Sequence, residues 1–515
     1  MTTFDRVYWD DMRWSSLVRF GCVAWFTFSC AGAPSVPVGP SAPCPTAPAS
    51  AVVSSEPSLT THKGTIKLFR GLPASANDSA ALYDELDYQR ASQAYLWALP
   101  FVSFAKWQEQ HETVFGARGT DLVVYETFKD KLGILTPNAT TPYIMTFPDL
   151  AKSGPFVIEY PAGPTAGGVG DFWQRPLVDM GETGPDQGKG AKYLLLGPGQ
   201  TVKDTKGFIV VQSPTFNVMF GTRVLAPEPH VAKEILAKFK LYPLAQGPST
   251  TPPRLIRVEG KTWSQVQPRR LDFWKLLHTT IEKEPVEARD RMLWAMLAPL
   301  GLEKGKPFTP SSRQAVILEE GARVGEIMAA NFAFNKRFEG ARYRSDASWD
   351  YVLTFDPSQE EPNYSQLDRR SAWFFEAVTS SKGMTMRKAG LGQAYLGAYH
   401  DKTGAWLDGS KNYQLHVPPN PPAKNFWSVT LYDAQNRTLI DNPHQIADRS
   451  SRQDLVKNAD GSVDLYFGEK PPAGREKNWI PTAPGKNFFA YFRLYGPLEP
   501  YLDASWSLPD IELIP

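Results

Sequence analysis

Apolar residues between about 78 and 106 recur at helical spacings. Leu82, Leu86, Ala91, Tyr95 and Leu99 share one face, and Asp78 with Ser79 supplies side-chain oxygens for the first turn. The pattern predicts one long opening helix. Short apolar runs bounded by turn residues follow it: LVVYETF (122–128), YIMTF (143–147), FVIEY (156–160), KYLLL (192–196), FIVV (208–211) and TRVLA (222–226). Pro-Asn, Pro-Ala-Gly-Pro and Gly-Pro-Gly turns separate them, which predicts a β-sandwich or barrel rather than βαβ winding. From 229 to 345 the period changes. Val231, Ile235 and Phe239, then Leu271, Trp274, His278 and Ile281, then Val316, Glu320, Val324, Ile327, Met328 and Asn331 follow a helical repeat, predicting three to four helices. Alternation returns at 390–515 in YQLHV (413–417), FWSVTLYD (426–433), VDLYF (463–467) and FFAYFRLYG (488–496), with Asp460-Gly461 as a hairpin signal.

The chain thus reads as mainly β with α. An N-terminal β domain with its opening helix occupies 78–228, a helical connecting segment 229–389 and a C-terminal β-sandwich 390–515. A length of 515 residues suits several units rather than one core. With 42% hydrophobic and 21% charged residues, neither disorder throughout nor a polytopic membrane protein is compatible with the composition. A net charge of +1 gives no electrostatic drive toward nucleic acid, which is excluded as a partner class.

All three cysteines, Cys22, Cys30 and Cys44, precede the predicted folded part, so no disulfide staples it. Residues 12–30 read as an export signal starting at Met12 rather than Met1. Arg13 and Arg19 supply the positive end, FGCVAWFTFS (20–29) the apolar stretch, and Phe28, Ser29 and Cys30 resemble a lipobox with Cys30 as the lipidated residue. Secretion with cleavage near Ala33 is the alternative. Residues 31–60, with proline every few positions, form a tether. The expected location is the periplasm or outer membrane, with the membrane as a partner through the anchor.

Seven scattered histidines show no HxH or HxxxH spacing, so no structural zinc is expected and no metal ligands are named, while the cofactor and an oxygen-ligated metal stay open. His416 reads as a strand residue and His278 as a core or interface histidine. GPTAGGVGD (163–171) lacks the Lys and Ser/Thr of a phosphate loop and reads as a turn, and NADGSVD (458–464) as a hairpin rather than a calcium loop. No G-x-S-x-G is present. What remains is polar chemistry among aromatics. Thr136, Asn138, Thr140, Thr141 and Tyr143 lie in TPNATTPYIMTF, and Asp171, Arg175 and Asp179 surround Trp173 in DFWQRPLVD. Such a charge cluster is either a structural ion-pair network or a site. FWSVTLYD places Trp427, Val429 and Leu431 on one face and Ser428, Thr430 and Tyr432 on the other, as expected of a strand between a core and a cavity or interface. Arg493 and Tyr495 are placed similarly.

The stretch from about 110 to 226, with TPNATTPY, DFWQRPLVDMGETGPDQGKGAKYLLLGPG and GFIVVQSPT, resembles the bacterial family of uncharacterised domains DUF1254. YHDKTGAWLDGSKNYQLHVPPNPPAKNFWSVTLYDAQNRTLIDN and the following VKNADGSVDLYFGEKPPAGREKNWIPTAPGKNFFAYFRLYGPLEPYLDASW resemble its partner, DUF1214. The resemblance implies two jelly-roll-like β domains joined by helices, exported or lipid-anchored and oligomeric, with no agreed activity. Many relatives carry Asp where this chain has Thr140. The functional expectation is a hydrolase or lyase acting on a small apolar or polymeric substrate. Asp171 or Asp179 would be its general base, Arg175 would stabilise an anion, and Tyr143 would join the catalytic group. Thr136, Asn138, Trp173, Trp427, Tyr432 and Arg493 would bind substrate. The alternatives are a non-catalytic ligand- or glycan-binding scaffold, and an envelope protein whose aromatics form a subunit interface in a homo-oligomer.

Overall fold

The long helix Ala76–Thr113 starts three residues before the expected cap, because the Ser75 side chain accepts from the Asp78 backbone N–H. It runs straight through Pro100. Proline there removes the hydrogen bond to the Leu96 carbonyl, and the Ser371 hydroxyl takes that carbonyl at 3.0 Å instead. From Ala91 onward nearly every residue is buried, so this is a central helix. Helices Leu271–Ile281, Arg291–Leu297, Ser312–Phe334 and Leu367–Glu376 pack around it. Gly321 and Gly325 set the closest crossing: a Cβ on Gly321 would stand 2.4 Å from the Ala91 Cβ.

The computed structural model describes residues 56–515 except 227 and 249. The export signal at 12–30, Cys30 and nearly all of the 31–60 tether lie outside the described residues. Strand Ser58–Thr61 occupies the tether's last positions. Residues Pro57–Pro515 form one unit, mainly β with α: 22 strands in five sheets and ten α-helices among the described residues. No helix among them is long and apolar enough to cross a membrane.

In the N-terminal half, a six-stranded sheet runs in the order 255–257, 122–125, 143–146, 218–224, 165–171, 176–181. A four-stranded sheet (209–212, 191–196, 156–160, 240–243) faces it across a core of Leu122, Ile144, Phe156, Ile158, Phe220 and Phe239. Two differences from the sequence reading appear here. Residues 163–171, read as a turn, form strand Thr165–Asp171, because glycine lets its backbone press on its neighbours: a Cβ on Gly168 would meet the Val178 carbonyl at 2.7 Å. The N-terminal sheets also extend past 228, since Lys240–Pro243 pairs with Phe156–Tyr160 and Leu255–Arg257 with Leu122–Tyr125.

The C-terminal half pairs a five-stranded antiparallel sheet (350–351, 393–398, 488–497, 423–433, 448–450) with a four-stranded one (479–481, 463–468, 412–417, 512–514). Asn458–Ser462 is a tight turn, with the Asn458 N–H donating to the Ser462 carbonyl at 2.8 Å, but it closes no two-strand hairpin. The strand after it, Val463–Gly468, pairs instead with the distant Asn412–Val417.

Candidate functional site

Each strand of the six-stranded sheet has two faces, and the inner one fills the sandwich core. On Val218–Val224, Phe220 and Val224 point inward, while Met219, Gly221 and Arg223 line a cavity outside the sheet. Tyr143 and Met145 of the neighbouring strand line it too. The opposite wall comes from the five-stranded C-terminal sheet, where Tyr395 and Arg493 stand directly across from one another. Residues 377–384, irregular until the short helix Lys382–Thr385 begins, close a third side. The cavity holds about 160 Å³, close to the roughly 150 Å³ that accommodates a benzene ring in a protein interior.

TPNATTPY forms the clasp between the two halves. The Thr136 backbone sits at φ +39, a strained value for a β-branched residue, and its N–H donates to the Arg437 carbonyl at 2.7 Å. Its own carbonyl accepts from Arg493 Nη2 at 2.9 Å. The Pro137 carbonyl accepts from the Tyr432 hydroxyl at 2.7 Å, and Asn138 Nδ2 donates to the Tyr495 hydroxyl. Asn138 Oδ1 accepts from the Thr140 and Thr141 N–H groups, fixing the turn, while its backbone N–H donates to the Tyr143 hydroxyl at 2.7 Å. The Tyr143 hydroxyl therefore keeps its own hydrogen available to the cavity.

Two guanidinium groups reach this cavity. Arg493 is buried and spends Nη1 on Thr430 Oγ1 at 3.0 Å. Burial works against its charge, but the hydroxyls of Tyr432, Tyr495, Tyr395 and Tyr143 hold it above its ordinary value. Arg223 is half-buried, with its guanidinium 5.8 Å over the Tyr143 ring, and burial is again outweighed by Tyr143, Tyr495 and Tyr395 while Arg493 opposes it. Among the described residues no carboxylate forms an ion pair with either arginine. Asp448 is half-buried nearby, its pKa pushed up by desolvation and its Oδ2 held by the Thr140 hydroxyl at 3.1 Å.

Asp179 is the acidic residue in the cavity wall. It is buried and accepts the Gly383 and Lys382 N–H groups at 2.9 and 3.3 Å, which pins the 377–384 segment to the sheet. Burial still pushes its pKa up. Gln174 anchors the same segment: its Oε1 accepts from the Thr379 N–H at 2.8 Å and its carbonyl from the Ser380 hydroxyl at 2.9 Å.

The structure brings Thr136, Asn138, Tyr143, Asp179 and Arg493 together on the cavity. The other expected site residues stand elsewhere. Fully buried Asp171 is ion-paired with the partly exposed Arg175, which reaches Glu287 through two bonds of 2.9 and 2.6 Å. Burial pushes Asp171 up and Arg175 pulls it down, while Arg175 is held above its ordinary range by both carboxylates. With its donors engaged, this cluster knits the turn before Pro176 to the helical layer. Trp173 lies in that layer, stacked on Phe101 at 4.5 Å and under the guanidinium groups of Arg289 and Arg370. Trp427 stacks on Phe492 at 5.5 Å, on the side of its strand away from the clasp, and Tyr432 is one of the clasp's donors. Sequence reading passed over Arg223 and Tyr395. The signal for Arg223 was a cation inside the apolar run TRVLA, on the outward phase of a central strand.

Residues 122–243 match the family model described as a protein of unknown function, DUF1254, and residues 392–499 match the one described likewise as DUF1214. No curated protein matches the chain. A crystal structure of the VPA0106 protein from Vibrio parahaemolyticus aligns with a TM-score of 0.52 at 16% identity, over 83% of this chain and 100% of that one. An uncharacterized protein from Burkholderia cenocepacia aligns with a TM-score of 0.37 at 13% identity, over 85% of this chain and 96% of that one. The two matched stretches cover both walls of the cavity and the clasp between them, and their order, DUF1254 then DUF1214, is that of the two-domain family the chain resembles.

Proposed function

We propose that the protein binds a small organic anion between its two β halves. The observation that carries this reading is the pair Arg223 and Arg493, one cation from each of two facing cavity walls, with no carboxylate among the described residues in ion-pair contact. Holding such charges away from water costs several kcal/mol unless a counter-charge joins them. An incoming carboxylate would supply it, and Tyr143 has a hydroxyl hydrogen to add. The apolar wall of Trp107, Ile134, Met145, Val169 and Met219 suits a ring or short chain. The size points to a single-ring acid such as benzoate. Isothermal titration of the chain with benzoate tests the reading: wild-type protein binds one equivalent, and Arg223→Gln does not.

The hydrolase or lyase reading keeps one supporting observation: Asp179, a carboxylate lifted by burial, lines the same cavity and so is placed to serve as a base. On that reading Asp179→Asn abolishes turnover while leaving benzoate affinity intact. The proposed location is the cell envelope, through acylation of Cys30. It rests on residues 12–30 of the sequence.

A further inference from the structure

A second cavity, of about 260 Å³, abuts the first, and Met384, Gln393 and Tyr395 line both. Among the described residues no acidic one lines the second, whereas Arg369 and Arg387 do. Arg369 donates to the Thr354 carbonyl at 2.7 Å and lies 5.4 Å over the Phe338 ring. Exposed Arg387 lies 5.5 Å over the Tyr351 ring. Neither forms an ion pair among the described residues. Met384, Gln393 and Tyr395 thus stand between the two cavities. Tyr395 has Arg493 5.4 Å over its ring, and its hydroxyl donates to Gln393 Oε1 at 2.5 Å. Met384 beside it is unbranched, with a flexible thioether that can shift without loss of a polar contact.

We propose that the two cavities together hold one extended molecule with an anionic group at each end, a linear dicarboxylate in chemical class. One carboxylate meets Arg223 and Arg493, the chain crosses beside Met384, and the second carboxylate meets Arg387 and Arg369. This rests on the anion-binding reading above and extends it. A monoanion in the first cavity leaves the second pair of cations unmatched. A dianion of the right span matches both, its second contact forming at the high effective concentration set by the first.

The test is isothermal titration of the full chain with benzoate and with linear dicarboxylates from succinate to sebacate, on wild type, Arg387→Gln and Arg223→Gln. Wild type is expected to take one dicarboxylate per chain, with a clear optimum of length and affinity about tenfold or more above benzoate. Arg387→Gln should lower that affinity about tenfold and leave benzoate unchanged, and Arg223→Gln should abolish both. Equal affinity of wild type and Arg387→Gln for every dicarboxylate overturns the proposal, as does a stoichiometry of two. Benzoate binding that survives Arg223→Gln overturns the anion-binding reading itself, a result separate from either.

Discussion

Arg223→Met separates binding from stability. The native cavity carries two cations without an ion-paired carboxylate among the described residues, and exchanging even a paired buried charge for apolar side chains of similar volume is often neutral or stabilising by about 1–4 kcal/mol. Arg223 keeps part of its surface exposed and the tyrosines around it offset its burial, so the low end applies, about 1 kcal/mol. In anion-free buffer the variant is therefore expected to unfold at higher urea than wild type. With benzoate at about a hundred times its Kd, wild type gains roughly 2.7 kcal/mol by mass action and the variant gains nothing, so the order of stability reverses. Urea unfolding followed by tryptophan fluorescence, with and without benzoate, reads both effects. A variant that is less stable than wild type without anion, yet stabilised by benzoate to the same extent, refutes the reasoning.

Tyr432→Phe leaves the buried Pro137 carbonyl without its donor and should cost about 1–3 kcal/mol in the same unfolding assay. Glu284 accepts three N–H groups from Phe216 and Asn217, yet burial pushes it from 4.5 to about 7. The folded value lies above the unfolded one, so its contribution is fully present below about 4.5 and is lost as pH rises through about 7, a fall of about 3 kcal/mol that Glu284→Gln should remove from the pH profile. Gly168→Ala should destabilise by about 1–3 kcal/mol, because the new methyl meets backbone at 2.7 Å rather than a side chain that can turn away. Cys30→Ser should move the protein from the membrane to the soluble fraction on cell fractionation, while an unchanged distribution would argue against the anchor.

Much of the architecture was legible because strand and helix periods differ. The runs at 156–160, 413–417 and 488–496 became strands, as did the first four residues of 122–128, while Phe128 opens a short helix; the helical repeat at 229–345 became four α-helices. Thr165–Asp171 was not legible, since glycine carries no side chain to display a period, and its strand pairing is a tertiary fact. The return of 240–243 and 255–257 to the first sandwich is invisible for the same reason. At the site, TPNATTPY and Arg493 drew attention through polar groups among aromatics, and they meet across the halves. Asp171 and Arg175 drew the same attention, but their partner Glu287 lies 112 residues away from Arg175, and that pairing decides that they are satisfied. Arg223 matters for the opposite reason, the lack of a carboxylate partner among the described residues, which only the folded structure reveals.

The most direct measurement is a crystal of the chain soaked with 4-bromobenzoate, with the bromine located by anomalous scattering. The account predicts one bromine peak in the cavity between the two β halves, with the carboxylate on Arg223 and Arg493 and the ring against Met145 and Met219. A cavity without bromine at full soak, or a ring whose carboxylate turns away from both arginines, would contradict it.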